Sequence, residues 1–158
     1  MTKPAFLERC KNIFAVIDDL QTAPLRKMAI GLSLEKEFLK DFKSLKLLSC
    51  ITQLARIAVD SGFNLVEDSA TIISNWTTTT PIPGELDSIF ALQVLRVSGA
   101  HNLSKDKREE YLAALKTFGI TEKQCAGGWG LALDIVYDRL IVDLKTLNEL
   151  LTNAWLNA

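Results

Sequence analysis

Residues 131–155 read LALDIVYDRLIVDLKTLNELLTNAW. Leu133, Val136, Tyr137, Leu140, Leu144, Leu147, Leu151 and Trp155 recur at steps of three and four, the spacing of one helix face. Ile135, Ile141, Val142 and Leu150 widen that stripe until the helix is apolar on more than one side. Such a helix is either central to a bundle or shared with a partner. This is the longest apolar helix in the chain, and it sets the class of fold to look for on either side.

Immediately upstream stands Ala126-Gly127-Gly128-Trp129-Gly130. No strand pattern precedes these glycines, and neither G-x-G-x-x-G nor a lysine-bearing P-loop is present, so a phosphate cradle is not indicated. A close backbone approach or a helix break beside Trp129 is expected instead. Before that, Tyr111, Leu112, Leu115 and Phe118 form the inward face of a helix capped by Ser104 and ended by Gly119, and Thr121 with Gln124 forms a capping box. At the other end of the chain, Phe6, Leu7, Cys10, Ile13, Phe14, Ile17 and Leu20 make one buried face. Leu25 to Leu32 is a short helical piece at best, ended near Gly31. Ser33 then caps a helix running from Leu34 through Phe38, Phe42, Leu45, Leu48, Ile51, Leu54 and Ala58, and Gly62 ends it. Asn64 with Glu67 opens a shorter helix carrying Leu65, Val66, Ile72, Ile73 and Trp76. The run Thr77-Thr78-Thr79-Thr80-Pro81-Ile82-Pro83-Gly84 cannot continue a helix; a plain connection is expected there, a lid being the alternative. Leu86, Ile89, Phe90, Leu92 and Leu95 drive one more helix. No stretch alternates with period two. The expectation is an all-α fold, an antiparallel bundle of about five helices, with 1–158 forming a single helical domain.

The bulk numbers narrow the function classes. The chain of 158 residues is 48% hydrophobic, and its 18 Lys+Arg against 19 Asp+Glu leave a formal charge of -1. A long phosphate-tracking surface needs a basic excess and is argued against; a small basic pocket is not. The lysines at 36, 40, 43 and 46 are interleaved with Glu35, Glu37 and Asp41, the pattern of a solvated helix face. Cys10, Cys50 and Cys125 are odd in number and far apart, and with one histidine no zinc set can be assembled. Buried free thiols in a reducing compartment are expected. Charge arrives too early in residues 1–9 for a signal peptide, and no apolar run approaches the roughly 18 residues of a membrane span. The expectation is a cytoplasmic protein with no membrane partner, no metal and no cofactor.

The chemistry concentrates in Leu95-Arg96-Val97-Ser98-Gly99-Ala100-His101-Asn102, which holds the sole histidine. On one straight helix Arg96 and His101 lie about 140° apart around the axis. They converge only if the helix ends or bends between them, and Ser98-Gly99 permits that. A guanidinium beside an imidazole suits phosphodiester chemistry. The first grips the phosphate bidentately, and the second moves protons near neutral pH. The structural alternative is an arginine that caps carbonyls or pairs with a carboxylate such as Asp87 or Glu109, followed by a hydrogen-bonded terminal histidine. A ligand pocket near Trp76 and Trp129 rests only on aromatics, which are more often core.

Arg96-Val97-Ser98-Gly99-Ala100-His101 resembles the R-x-x-x-x-H signature of the HEPN superfamily (higher eukaryotes and prokaryotes nucleotide-binding). The signature covers six residues, with Leu95 and the small residues before the histidine also similar; the helical context covers the rest. The resemblance implies a bundle of four or five helices. It implies a metal-independent endoribonuclease of a defence or toxin system, with the motifs of two protomers facing each other in a homodimer. Arg96 would orient the scissile phosphate and His101 would act as acid and base, while an RNA 2′-hydroxyl attacks the phosphorus and leaves a 2′,3′-cyclic phosphate. Ser98 and Asn102 are polar neighbours placed to support them. Val97 departs from the polar residue common after the arginine, and Leu103 stands where one toxin group has tyrosine. Other members are non-catalytic, which makes the alternative a helical binding or dimerisation module, or an accessory domain, with a protein partner in place of RNA.

Overall fold

The computed structural model describes residues 1–98 and 104–156. Among them the chain forms α1 (Lys3–Asp18), α2 (Thr22–Gly31), α3 (Lys36–Leu39), α4 (Ser44–Ser61), α5 (Ser69–Ser74), a 3₁₀ turn (Gly84–Leu86), α6 (Asp87–Val97), α7 (Lys105–Thr117) and α8 (Gly130–Leu156). No strand occurs among these residues, so the class is all-α. The helices are more numerous than the five or so expected. No helix among the described residues is long and apolar enough to cross a membrane. The chain divides into two compact units, Met1–Ile17 with Glu85–Leu144, and Asp18–Gly84 with Lys145–Ala158.

In the first unit α1 supplies Phe6, Cys10 and Phe14, one turn apart and almost fully buried. Leu92 and Leu95 of α6, Tyr111 and Leu115 of α7, and Val136 and Leu140 of α8 are buried in the same unit. On α7, Leu112 is exposed, against expectation, and the smaller Ala114 takes an inward position. The α7 terminus closes through Ile120 N donating to Leu115 O and Gly119 N to Lys116 O, the paired bonds of a Schellman motif. The Thr121–Gln124 box forms, with Thr121 N donating to Gln124 Oε1 at 2.9 Å, yet residues 122–127 make turns rather than a helix. Gly128 sits at φ +135, and a Cβ there would meet Met1 N and O at 3.7 Å, an ordinary contact. The backbone angle, more than lack of space, therefore calls for glycine. The approach is real: Trp129 N donates to Met1 O at 2.9 Å, and the Phe6 and Trp129 rings lie 5.0 Å apart.

In the second unit a core of Leu32, Leu39, Leu47, Ile51, Leu54 and Leu65 gathers α2 to α5 around Leu150 and Ala154 of α8. Each such fully buried aliphatic side chain contributes roughly 1.5–3 kcal/mol. Ser33 does not cap the following helix. Its φ is +72, and it ends α2, with Leu34 N donating to Ala29 O and its own N–H to Ile30 O. The single helix expected from Leu34 to Ala58 is broken at residues 40–43. Arg26 stabilises the break by donating from Nε to Leu39 O and from Nη2 to Phe42 O, two carbonyls an unbroken helix would have satisfied itself. Asn64 does not open the helix expected there: it accepts from Val66 N and Glu67 N, and its own N–H donates to Asp68 Oδ2, within a turn at residues 65–68, and α5 begins only at Ser69. Leu65 N and Asn64 Nδ2 in turn satisfy the carbonyls of Ala154 and Trp155 in the last turn of α8.

All three cysteines are buried and free, and burial pushes the Cys10 thiol up to about 12.

Candidate functional site

The Leu86–Leu95 pattern builds α6 as expected, because Ile89, Leu92 and Leu95 fall on one face and are buried. That burial fixes the rotation of the helix, and the rotation sets where Arg96 goes. Its guanidinium carbon lies 4.5 Å from the centroid of the Phe14 ring on α1. The side chain is half-buried and stands in the last turn of α6. A cation suits that position, since the unsatisfied carbonyls of a helix end carry partial negative charge. An aromatic face also favours a flat, delocalised guanidinium over the compact ammonium of a lysine.

The remainder of the motif divides. Val97 is 60% exposed. Ser98 is buried; its hydroxyl donates to Val94 O at 2.7 Å and its N–H to Leu95 O at 3.2 Å. The Ser98 proton is thus committed to closing α6, the back-bonding that serine makes at i−4. The helix ends at Val97, between the arginine and the histidine. His101 and Asn102 lie outside the described residues, as do Gly99, Ala100 and Leu103. Among the described residues no group of three or more His, Cys, Asp or Glu side chains is arranged to hold a metal.

Two features of the first unit are absent from the sequence reading. The first is an apolar groove of about 370 Å³, lined on α1 by Arg9, Asn12, Ile13, Val16 and Ile17 and on α8 by Tyr137, Leu140, Ile141 and Leu144. Val16 is 72% exposed, and Tyr137, Ile141 and Leu144 are nearly half exposed, although the last helix was expected to bury Tyr137 and Leu144. The signal was present in the width of the α8 stripe, but the stripe alone does not say which side a neighbour covers. The second is a charge cluster. Lys3 Nζ lies 2.6 Å from Glu122 Oε1 and 4.4 Å above the Tyr111 ring, while Arg108 Nη2 lies 2.8 Å from Glu122 Oε2. The hydrogen bond from Lys3, followed by the charges of Lys3 and Arg108, holds the Glu122 carboxyl below its ordinary value. Burial, with the negative charge of Glu122, pushes the Tyr111 hydroxyl up. Lys3 and Glu122 are 119 positions apart, so no local spacing announces the pair.

No family model matches this chain, and neither the curated proteins nor the solved structures contain a match to it.

Proposed function

We propose that this chain is a HEPN-like metal-independent endoribonuclease that acts as a homodimer. The observation that carries the reading is the half-buried Arg96 guanidinium held on the Phe14 ring at the point where α6 stops. An arginine pre-positioned in this way loses little freedom on gripping a phosphate. In the proposed reaction it offsets charge that develops on the phosphoryl oxygens. His101, five positions on, takes the proton of the 2′-hydroxyl as that oxygen bonds to phosphorus, and gives a proton to the 5′-oxygen as its bond to phosphorus breaks. Exposed Val16, Tyr137, Ile141 and Leu144 supply the apolar surface that a second copy covers, bringing two motifs into one site.

A second reading is favoured by Val97, aliphatic and mostly exposed beside the arginine. On that reading the chain is a non-catalytic binding or dimerisation module, and Arg96 is structural.

The test is RNA cleavage in EDTA by the wild type, with the matched DNA as control. Cleavage of RNA alone is expected, and His101→Ala is expected to lower it by about 10²–10⁴-fold. Sedimentation is expected to give a dimer that Ile141→Asp weakens. Wild-type protein that is inert on structured and single-stranded RNAs yet dimeric selects the binding module.

A further inference from the structure

We propose that the second unit carries a binding site for a small planar aromatic acid, its ring against Phe38, Phe42 and Trp76 and its anionic group at Lys46. The site is a hollow of about 370 Å³, at the small end of the roughly 300–1,000 Å³ range of ligand pockets. It lies beside the break in the helix expected at residues 34–58. Phe38 and Phe42 meet edge-on with ring centroids 4.8 Å apart, and Phe38 meets Trp76 edge-on at 5.6 Å. All three rings remain half-buried, so part of each aromatic surface is left uncovered by the chain. Flat π-systems stack on such surfaces.

The polar groups sort into spent and available. Trp76 Nε1 donates to Gln53 Oε1 at 3.0 Å, and Gln53 Nε2 donates to Thr80 O at 2.5 Å. The polarity of the floor is therefore consumed internally, which leaves an apolar base with no unmet demand. Lys46 is different. It is exposed on the first turn of α4, yet its ammonium lies 4.1 Å from the centroid of the Phe42 ring, against the hollow. Lys3, Lys11 and Lys40 each reach a carboxylate; Lys46 has none among the described residues. No Asp or Glu lines the hollow, and α4 has no acid in its first turn. The Thr78 hydroxyl, on the rim, makes no hydrogen bond among the described residues. Of the other lining hydroxyls, Ser49 donates to Lys46 O and Thr80 accepts from Thr77 N. An apolar wall with one cation and the Thr78 hydroxyl at its edge selects a ring bearing a carboxylate or a similar monoanion. The unit recognises it without Arg96 or His101, so an inert nuclease leaves this proposal standing.

The experiment titrates the ¹⁵N-labelled full chain with indole-3-acetate, its neutral amide indole-3-acetamide and the cationic tryptamine. The readout is the indole N–H signal of Trp76, identified by its loss in Trp76→Phe. A saturable shift with the acid is expected, at least tenfold weaker binding with the amide, and none with the amine. Lys46→Met, an exposed substitution whose spectrum verifies the fold, is expected to weaken the acid about tenfold and leave the amide unchanged. No saturable shift up to low-millimolar acid would overturn the proposal. So would equal binding of all three compounds, or unchanged acid affinity in Lys46→Met.

Discussion

Replacing Arg96 with alanine removes a guanidinium from the Phe14 ring and a cation from the last turn of α6. A cation–π contact contributes about 0.5–1 kcal/mol at an exposed site and about 2 when desolvated. Arg96 is half-buried, so about 1 kcal/mol applies. The charge at the helix end adds roughly 0.3–1 kcal/mol. Arg96→Ala should therefore cost about 1–2 kcal/mol, with Tm falling roughly 2–4 °C for each kcal/mol in a chain of this size. Arg96→Lys keeps the charge and loses the flat stacking surface, and should fall between. The decisive assay is a double-mutant cycle with Phe14→Leu, read from urea unfolding midpoints. Phe14 is 1% exposed, so its own substitution costs packing that the cycle subtracts. A coupling of about 0.5–1 kcal/mol is expected. Additivity within about 0.3 kcal/mol would refute the idea that Phe14 holds the arginine in place. A large coupling with full ribonuclease activity in Phe14→Leu would instead show the stacking to serve the fold rather than the phosphate.

Glu122→Gln should lower stability at neutral pH by up to about 1 kcal/mol, because the carboxylate is partly exposed. Its folded-state pKa is depressed, so the wild-type advantage is present above the ordinary value of 4.5 and is lost as pH falls below it; thermal melts from pH 7 to 3 should show the two proteins converging. Ser33→Gly should raise stability by up to about 1 kcal/mol, since a left-handed non-glycine residue costs about 1–2 kcal/mol while glycine returns roughly 0.5–1 as chain entropy. The melt of that variant falling below wild type would show that the Ser33–Ser69 hydroxyl contact outweighs the strain.

What could be read in the sequence was whatever local rules decide. Phe6, Cys10 and Phe14, and Leu92 and Leu95, bury as their spacing requires. Gly62 and Gly119 end helices, while Asn64 meets backbone N–H groups in a turn ahead of α5 rather than at its start. The misreadings arose where a distant residue overrode local pattern. The helix from Leu34 looked continuous because the apolar steps persist through Phe38 and Phe42, but Arg26 supplies the hydrogen bonds that make the break stable. Ser33 is a good N-cap by type, yet the two bonds closing α2 claim its backbone first. Of the candidate site, the end of α6 near Ser98 was legible from small residues. The partner of the Arg96 face was not, since Phe14 lies 82 positions upstream and its own helical spacing marks it only as core.

Both compact units are built from two separated pieces of chain, with α8 contributing to each. During synthesis the second unit must wait for Ala154 to meet Leu65, and the first for Leu140 to join α1. Closing such long loops is slow more than it is costly, since each doubling of loop length adds only about 0.6 kcal/mol. Until α6 to α8 emerge, the apolar face of α1 is made but unmatched, whereas α4 already has α2 and α5 to pack against. No single cut in the gene separates one unit from the other.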